Sequence, residues 1–551
     1  MNAALDRLAK EYWEFVVESS PVEALMRGDH RYDDRFEDVS LAAEDARIAR
    51  RRDFAAQAEA IDPAGLDADE RITREVLMHL ATADADYDGQ RLIELEVNHA
   101  IGMQAMLPVM VPQYPLTAPE HAAAMPSHFR GMARAFDDAS DRLRSGVAHG
   151  RTPMASTATK TVAQIDAWLA IDAASDPLLK LRSPEGWAGE AAWRGEMARV
   201  VADEVRPALG RWRDTVAEEV VPAARPDAKP GLCWIPGGEQ AYAAALFRFT
   251  TTRKTPDEIH QIGLEQIAPL DDEYRTLGKE VLGTTDLAEI YRRLRDDASL
   301  HFTSGADVVA ASEKAMAKAK AAMGGWFGRL PKADCVVAET PSGPTAFYFR
   351  PATDGSRPGT FFVNTADPTR WGRFEIESMA YHEGIPGHHL QLAIAQELSG
   401  IPEFRKHAFI SAYGEGWGLY TERLADEMGL YSGALERIGM LSADSMRAGR
   451  LVVDTGLHAK GWSRQQAIDY FRANSPMSQG TIEGEVDRYV GMPGQACSYM
   501  IGRLEIQRMR REAEKKMGKR FSIKGFHDTV LGSGLVPLGT LDRMVKEWAA
   551  G

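Results

Sequence analysis

Cysteine, long apolar runs and excess positive charge are what this chain has least of. Three cysteines, Cys233, Cys335 and Cys497, stand far apart in 551 residues, and none is half of a C-x-x-C pair. That leaves neither a disulfide framework nor a cysteine-ligated zinc site, and it fits a reducing compartment. No segment approaches the roughly 18 consecutive apolar residues that a membrane-spanning helix needs. The first fifteen residues carry Asp6, Arg7, Lys10, Glu11 and Glu14, which breaks up any apolar stretch of a secretory signal. These absences predict a cytoplasmic protein with no membrane partner. The formal net charge of −15 argues against nucleic acid as a partner, because lysine and arginine drive binding to phosphates; it favours solubility instead.

What is present is a large apolar fraction, 44% of residues, ample for an extensive core. The length predicts two to four domains, read here as an N-terminal helical half, residues 1–250, and a catalytic half, residues 251–551. A hinge between them is expected at Pro222 to Gly238. Ser20-Pro21-Val22-Glu23 and Thr255-Pro256-Asp257-Glu258 each place a capping residue, a proline at the first helical position and a glutamate closing a capping box. Ser463 and Gln466 repeat the box after Gly461. Helical spacing runs through 1–105, 118–146 and 157–221, and the Pro-rich piece from Met106 to Pro115 is expected to be a buried loop. The expected fold is therefore mainly α, a large multi-helix fold with a small sheet and a deep cleft.

The exception to helix is a set of β-branched and aromatic runs, Val336-Val337-Ala338, Ala346-Phe347-Tyr348-Phe349 and Thr360-Phe361-Phe362-Val363-Asn364. Pro341-Ser342-Gly343-Pro344 and Asp354-Gly355 stand between them as turns, which predicts a small antiparallel meander. Directly after it comes Tyr381-His382-Glu383-Gly384-Ile385-Pro386-Gly387-His388-His389-Leu390-Gln391, three imidazoles and a carboxylate within eight positions. Neutral histidine and carboxylate hold zinc, and a glutamate beside a ligand can take a proton from water.

His382-Glu383 looks like the first half of HExxH, in which two histidines four apart share one helical face. Here the next histidines lie six and seven positions on. At about 100° per residue His388 points elsewhere on a straight helix, and His389 returns to the face only roughly 10 Å away. A regular helix cannot make this site. Pro386-Gly387 offers the escape, because proline removes a helical N–H and glycine opens backbone angles closed to other residues; a kink there swings His388 toward His382. A third ligand is expected in Tyr413-Gly414-Glu415-Gly416-Trp417-Gly418-Leu419-Tyr420-Thr421-Glu422, with Glu415 preferred. Glu422, on the same face, is expected to orient a ligand histidine or to form an ordinary salt bridge.

YHEGIPGHHLQ, GEGWGLYTE, RLVVDTGLH and PGQACSYMIG, in this order, resemble the bacterial domain-of-unknown-function family eight-eight-five (DUF885). Ser20-Pro21-Val22-Glu23-Ala24, Asp354-Gly355-Ser356-Arg357-Pro358-Gly359, Phe526-His527 and Gly534-Leu535-Val536-Pro537-Leu538 extend the resemblance over almost the whole chain. That resemblance implies a zinc metallopeptidase, similar in helical architecture to the thimet-oligopeptidase and angiotensin-converting-enzyme group, whose pattern is HExGH followed by a downstream glutamate. It makes His382, His388 and Glu415 the metal ligands and Glu383 the general base. The two extra residues of this chain leave His389 as the alternative to His388. In the resembled group an edge strand beside the metal helix binds peptide backbone by strand addition, where Asn364 either bonds substrate or simply ends the strand as a turn residue.

Later segments complete the expected site. Arg450, Asp454 and His458 recur every four residues; they read either as an ion-pair ladder with His458 near a helix C-terminus or as groups that orient a zinc ligand or stabilise developing negative charge, with Asp454 the first choice for orienting a ligand. Tyr499 fits the late tyrosine that donates to an oxyanion in the resembled peptidases, and Arg488 offers a bidentate grip on a substrate carboxylate. A core tyrosine and an internal ion pair are the plainer readings of these two. The function expected is zinc-dependent hydrolysis of short peptides. The alternatives are a metal-dependent hydrolase of another amide or ester, and a non-catalytic peptide-binding protein.

Overall fold

Capping residues start helices largely where the sequence places them. The structure is a computed structural model and describes residues 2–341, 344–352, 355 and 357–551. The helices that build or support the site are, in chain order, α1 (Ala3–Ser19), α2 (Ala68–Asp88), α3 (Pro119–Ala148), α4 (Gly238–Thr250), α5 (Pro256–Leu282), α6 (Gly305–Trp326), α7 (Ile376–Glu383), α8 (His388–Glu397), α9 (Ser411–Glu427), α10 (Ala434–His458), α11 (Arg464–Asn474), α12 (Gln479–Gly491) and α13 (Ser498–Met517). The fold is mainly α with one small sheet. Thr255 and Glu258 form the predicted capping box at the start of α5, and Ser463 and Gln466 form the one at the start of α11. Ser20 does not cap: the short helix Pro21–Met26 starts as predicted, but the Val22 N–H is given to Glu37 instead.

Two large clusters of buried side chains organise the chain. One gathers Tyr12 of α1, Val76 of α2, Tyr274 of α5, Tyr381 of α7, Trp417 of α9 and Met500 of α13. The other gathers Val22, Leu25, Phe129, Phe136, Leu209 and Trp212. Each buried side chain of Leu or Phe size stabilises by about 1.5–3 kcal/mol relative to leaving it exposed. The cores do not divide at residue 250, since α1 and α2 pack with elements that follow it. A smaller cluster, with Val453, Phe471, Val486 and Tyr489, joins α10, α11 and α12. No helix among the described residues is long and apolar enough to cross a membrane.

Three strands, β1 (Cys335–Thr340), β2 (Ala346–Phe349) and β3 (Gly359–Asn364), form the sheet in the order β1-β3-β2. It is mixed rather than the predicted antiparallel meander, because β3 pairs parallel with β1 and antiparallel with β2. The reason lies in β3 itself, whose Phe361 and Val363 are fully buried; the strand with the most to bury takes the centre and bonds on both edges. The turns expected at Ser342-Gly343 and at Asp354 lie outside the described residues, as does Ser356 of the family-like segment. Asn364 closes the central strand, not an edge, and its side-chain oxygen accepts the Ala366 N–H at 3.0 Å. It is the turn residue of the two readings.

The Pro-rich piece is helical, not a loop. Met103–Met110 is an α-helix with Pro108 inside it, followed by a 3-10 turn Val111–Gln113. So short a helix forfeits few backbone bonds to proline, and its apolar side chains have a core to enter.

Candidate metal centre

The chain breaks its helix between Glu383 and His388, more sharply than a kink. Gly387 is required by close approach, for any Cβ there would run into the carbonyl oxygen of His382. A Cβ on Gly384 would likewise meet the sulfur of Met316 on α6. The turn is held from outside by the indole of Trp417, which donates to the Pro386 carbonyl at 3.0 Å, and from within by the His389 N–H on the Gly384 carbonyl at 3.1 Å. The Ile385-Pro386 peptide is cis. Folded in this way, the His388 ring stands edge-on to the His382 ring, their centroids 4.8 Å apart and their planes at 85°.

Glu415 of α9 completes the cluster. Its Oε2 lies 3.6 Å from His382 Nε2 and 3.3 Å from His388 Nε2, and the three donor atoms fall within 4.8 Å of one another. Two atoms each 2.0–2.1 Å from a tetrahedral ion are about 3.3 Å apart, so this donor set fits zinc with a fourth position left over. Access is from the Glu415 side, since that side chain is 13% exposed against 3% for His382.

Behind His382 stands Glu422, one helical face with Glu415 and two turns on. The His382 Nδ1–H donates to Glu422 Oε1 at 2.8 Å, Ser378 donates to Oε2 at 2.7 Å, and Arg447 lies 3.7 Å from Oε1. One carboxylate thus faces each nitrogen of the ring. Gly418 lets α9 come close enough for this, for a Cβ there would sit 2.7 Å from the ring carbon of His382. Burial alone would lower the pKa of His382, but Glu415 and Glu422 together raise it to about 9. Burial works the other way on Glu415, and hydrogen bonds from His382 and His388 overcome it to hold the carboxyl well below the usual range.

His389 is turned away from the cluster. Its Nε2–H donates to the Ala333 carbonyl at 3.1 Å and its Nδ1 accepts from the Tyr348 hydroxyl at 2.9 Å. With both nitrogens engaged it ties α8 to β2. Burial pushes its pKa down to about 4. Glu383 ends α7 half-buried beside His382, and among the described residues it takes no hydrogen bond or ion pair.

Tyr499, in the first turn of α13, stacks on His382 with centroids 6.3 Å apart and planes at 21°. The approach that allows this is made at Gly416 and Gly502, where α9 and α13 touch backbone to backbone and a Cβ on Gly502 would meet the Ala412 carbonyl. Arg450 covers the outer face of Tyr499, 4.4 Å from its centroid. Burial and then Glu415 push the tyrosine pKa up, so its hydroxyl keeps its proton.

Arg488 bonds Glu485 through Nε and Nη2, both at 3.1 Å, and Gln495 through Nη1 at 2.8 Å. That is the internal ion pair of its two readings. Arg450, Asp454 and His458 make no ladder with one another. Arg450 pairs with Glu485 at 2.7 Å, Asp454 accepts from the Tyr242 hydroxyl at 2.7 Å and the Gly494 N–H at 3.0 Å, and His458 bridges the Leu232 N–H and the Tyr489 carbonyl. Asp454 is therefore no support of a ligand histidine; Glu422 is. Burial lifts the Asp454 carboxyl to about 7. Arg447, which reaches Glu422, stands three positions before Arg450 on the same helix, within the i,i+3 spacing that a sequence reading can follow.

The sequence model of a family described as "Bacterial protein of unknown function (DUF885)" matches residues 21–545. No match is found among curated proteins. A solved protein from Colwellia psychrerythraea, named a "putative lipoprotein", is 25% identical, covers 100% of each chain and superposes with a TM-score of 0.92. A second of that name, from Shewanella oneidensis and of unknown function, is 19% identical over 98% of this chain and 99% of its own, with a TM-score of 0.75, and shares the fold.

Proposed function

This chain belongs to the DUF885 family, whose description assigns no function; from the geometry around Glu415, and from the resemblance of its motifs to those of helical zinc peptidases, we propose that it is a zinc-dependent hydrolase, specifically a metallopeptidase acting on short peptides. One observation carries the reading: His382 Nε2 and His388 Nε2, from two helices broken apart by a tight turn, converge on Glu415 Oε2 of a third. When bound, zinc would polarise a carbonyl and lower the pKa of water.

The chain's own groups supply the rest. Glu422 accepts the Nδ1 proton of His382, which fixes the tautomer and leaves Nε2 free to ligate. Glu383 is assigned the proton from the attacking water, which it returns to the leaving amine. The Tyr499 hydroxyl donates to the carbonyl oxygen as negative charge grows there, its ring clamped between His382 and Arg450. Arg488 is engaged with Glu485 and Gln495, and the Asn364 oxygen with the Ala366 N–H, so neither is given a role in this scheme.

The test is elemental analysis joined to peptide turnover. Bound zinc falls by about one equivalent in His382→Ala and in His388→Ala but not in His389→Ala, and Glu383→Gln keeps the metal while losing turnover. Hydrolysis of acylated amino acids or esters in preference to di- and oligopeptides would move the reading to another amide or ester. For location, the free state of Cys233, Cys335 and Cys497 supports the cytoplasmic reading, and the lipoprotein name of the structural neighbours stands against it. Cell fractionation decides between them.

A further inference from the structure

We propose a second divalent-metal site, formed by His30, Asp33 and His121, independent of the centre on α7, α8 and α9. Gly28, with φ of +83°, turns the chain back after the helix Pro21–Met26, and the 3-10 turn His30–Tyr32 follows. His30 and Asp33 are thereby set one turn apart, against His121 in the first turn of α3. Each of the three offers one donor atom, and these atoms lie within 4.8 Å of one another.

Three further features single the cluster out. Asp33 is 4% exposed, and its Oδ1 has no hydrogen-bond partner among the described residues; a buried carboxylate oxygen left unpaired is costly unless something cationic meets it. Its other oxygen accepts from His30 Nδ1 at 2.7 Å. Thr117 Oγ1 lies 3.4 Å from His121 Nδ1, the kind of outer partner that orients a ligating imidazole through its other nitrogen. Finally, His30 borders a cavity of about 300 Å³ that is also lined by Trp13, Arg27, Asp29, Glu403 and His407, which gives an ion a way in.

The two imidazoles lie face to face, centroids 3.4 Å apart and planes within 8°. Lone pairs of parallel rings do not converge, so an ion is received by unstacking one ring, and the cavity beside His30 has room for that movement. Two imidazole nitrogens and a carboxylate oxygen suit zinc, cobalt or nickel rather than magnesium or calcium. The role follows from the position. α1 packs into one core through Tyr12, whereas Val22 and Leu25 just after it belong to the other. The ion would staple the crossing segment to the first turn of α3.

Cobalt and zinc binding to the full chain carrying His382→Ala and His388→Ala tests this without the first site. About one equivalent is expected to remain, with cobalt d–d absorption, a rise in Tm on loading, and loss of all three on adding His121→Ala or the isosteric Asp33→Asn. Absence of binding at micromolar metal in a folded double variant, or binding unchanged by both further substitutions, would overturn the proposal. Should the double variant fail to fold, the wild type and His121→Ala alone are compared: two equivalents falling to one support the site, and equal stoichiometry overturns it. Loss of the α7–α9 centre shows separately, as the equivalent lost in His382→Ala.

Discussion

Each nitrogen of the His382 ring faces a carboxylate, and the two carboxylates have different work. Glu415 is the one placed to share an ion with His382 and His388, while Glu422 holds the far nitrogen's proton at 2.8 Å. Glu422→Gln keeps the shape but removes the charge that makes the ligand basic, so zinc affinity is expected to fall roughly 10–100-fold, read by competition against a chelator of known strength. Unchanged affinity would show that Glu422 serves packing alone. Glu383 differs again, because no partner among the described residues claims it. Glu383→Gln should lower kcat by roughly 10²–10⁴-fold with metal content intact, and full turnover would remove it from the mechanism. His389→Gln is the control, expected to disturb the Tyr348 and Ala333 contacts without releasing metal.

Among elements, the decisive feature is how closely helices approach. α9 and α13 meet where Gly416 and Gly502 leave no room between backbones, and Tyr499 stands one turn before Gly502. Gly502→Ala forces the pair apart, with an expected loss of about 1–3 kcal/mol as an overpacked core site, measured by urea unfolding. The same displacement withdraws Tyr499 from His382, so kcat should drop further than metal content does. A variant that loses stability but turns over normally would uncouple Tyr499 from the chemistry. The α7–α8 break makes a parallel point, for Gly387 has no space for a Cβ and His388 reaches its position only through that turn.

Six of the fourteen histidines are buried, and burial of this kind sets the molecule's response to acid. Burial pushes His128 down to about 4, and His458 and His527 down to about 3, from an ordinary value of 6.5. A folded-state pKa below the unfolded one means that the unfolded chain binds more protons in this interval. The stability these groups contribute is complete above pH 6.5 and drains away as pH falls toward their folded values, by up to about 1.4 kcal/mol per pH unit for each. Asp454, lifted to about 7, opposes this between its own two values. His79, His389 and His407, each pushed down to about 4, add to these three, and Glu37, lifted to about 7, joins Asp454; with six imidazoles against two carboxyls, urea midpoints of metal-free protein are expected to fall from pH 6.5 to pH 4. His527→Asn should flatten that fall, and an unchanged slope would refute the assignment.

Local chemistry in the sequence determined the helices' starting points, the mainly α class, the three strand segments and the identity of the ligand candidates. Thr255 with Glu258, and His382 with Glu383, are written in neighbouring residues and act over one turn. Only the tertiary structure decided strand order, because β3 took the centre for the apolar surface it buries against distant helices. It likewise brought His388 rather than His389 beside His382 and Glu415, since His389 is held by Tyr348 and Ala333, some forty and fifty-six positions earlier. Asp454 failed as a partner of the site for the same reason: spacing along α10 fixes which face a side chain shares, whereas packing against α4 and the Gly494 turn fixes what that face meets. Periodicity is a property of one helix, and a site made of four is settled by how closely their backbones can pack.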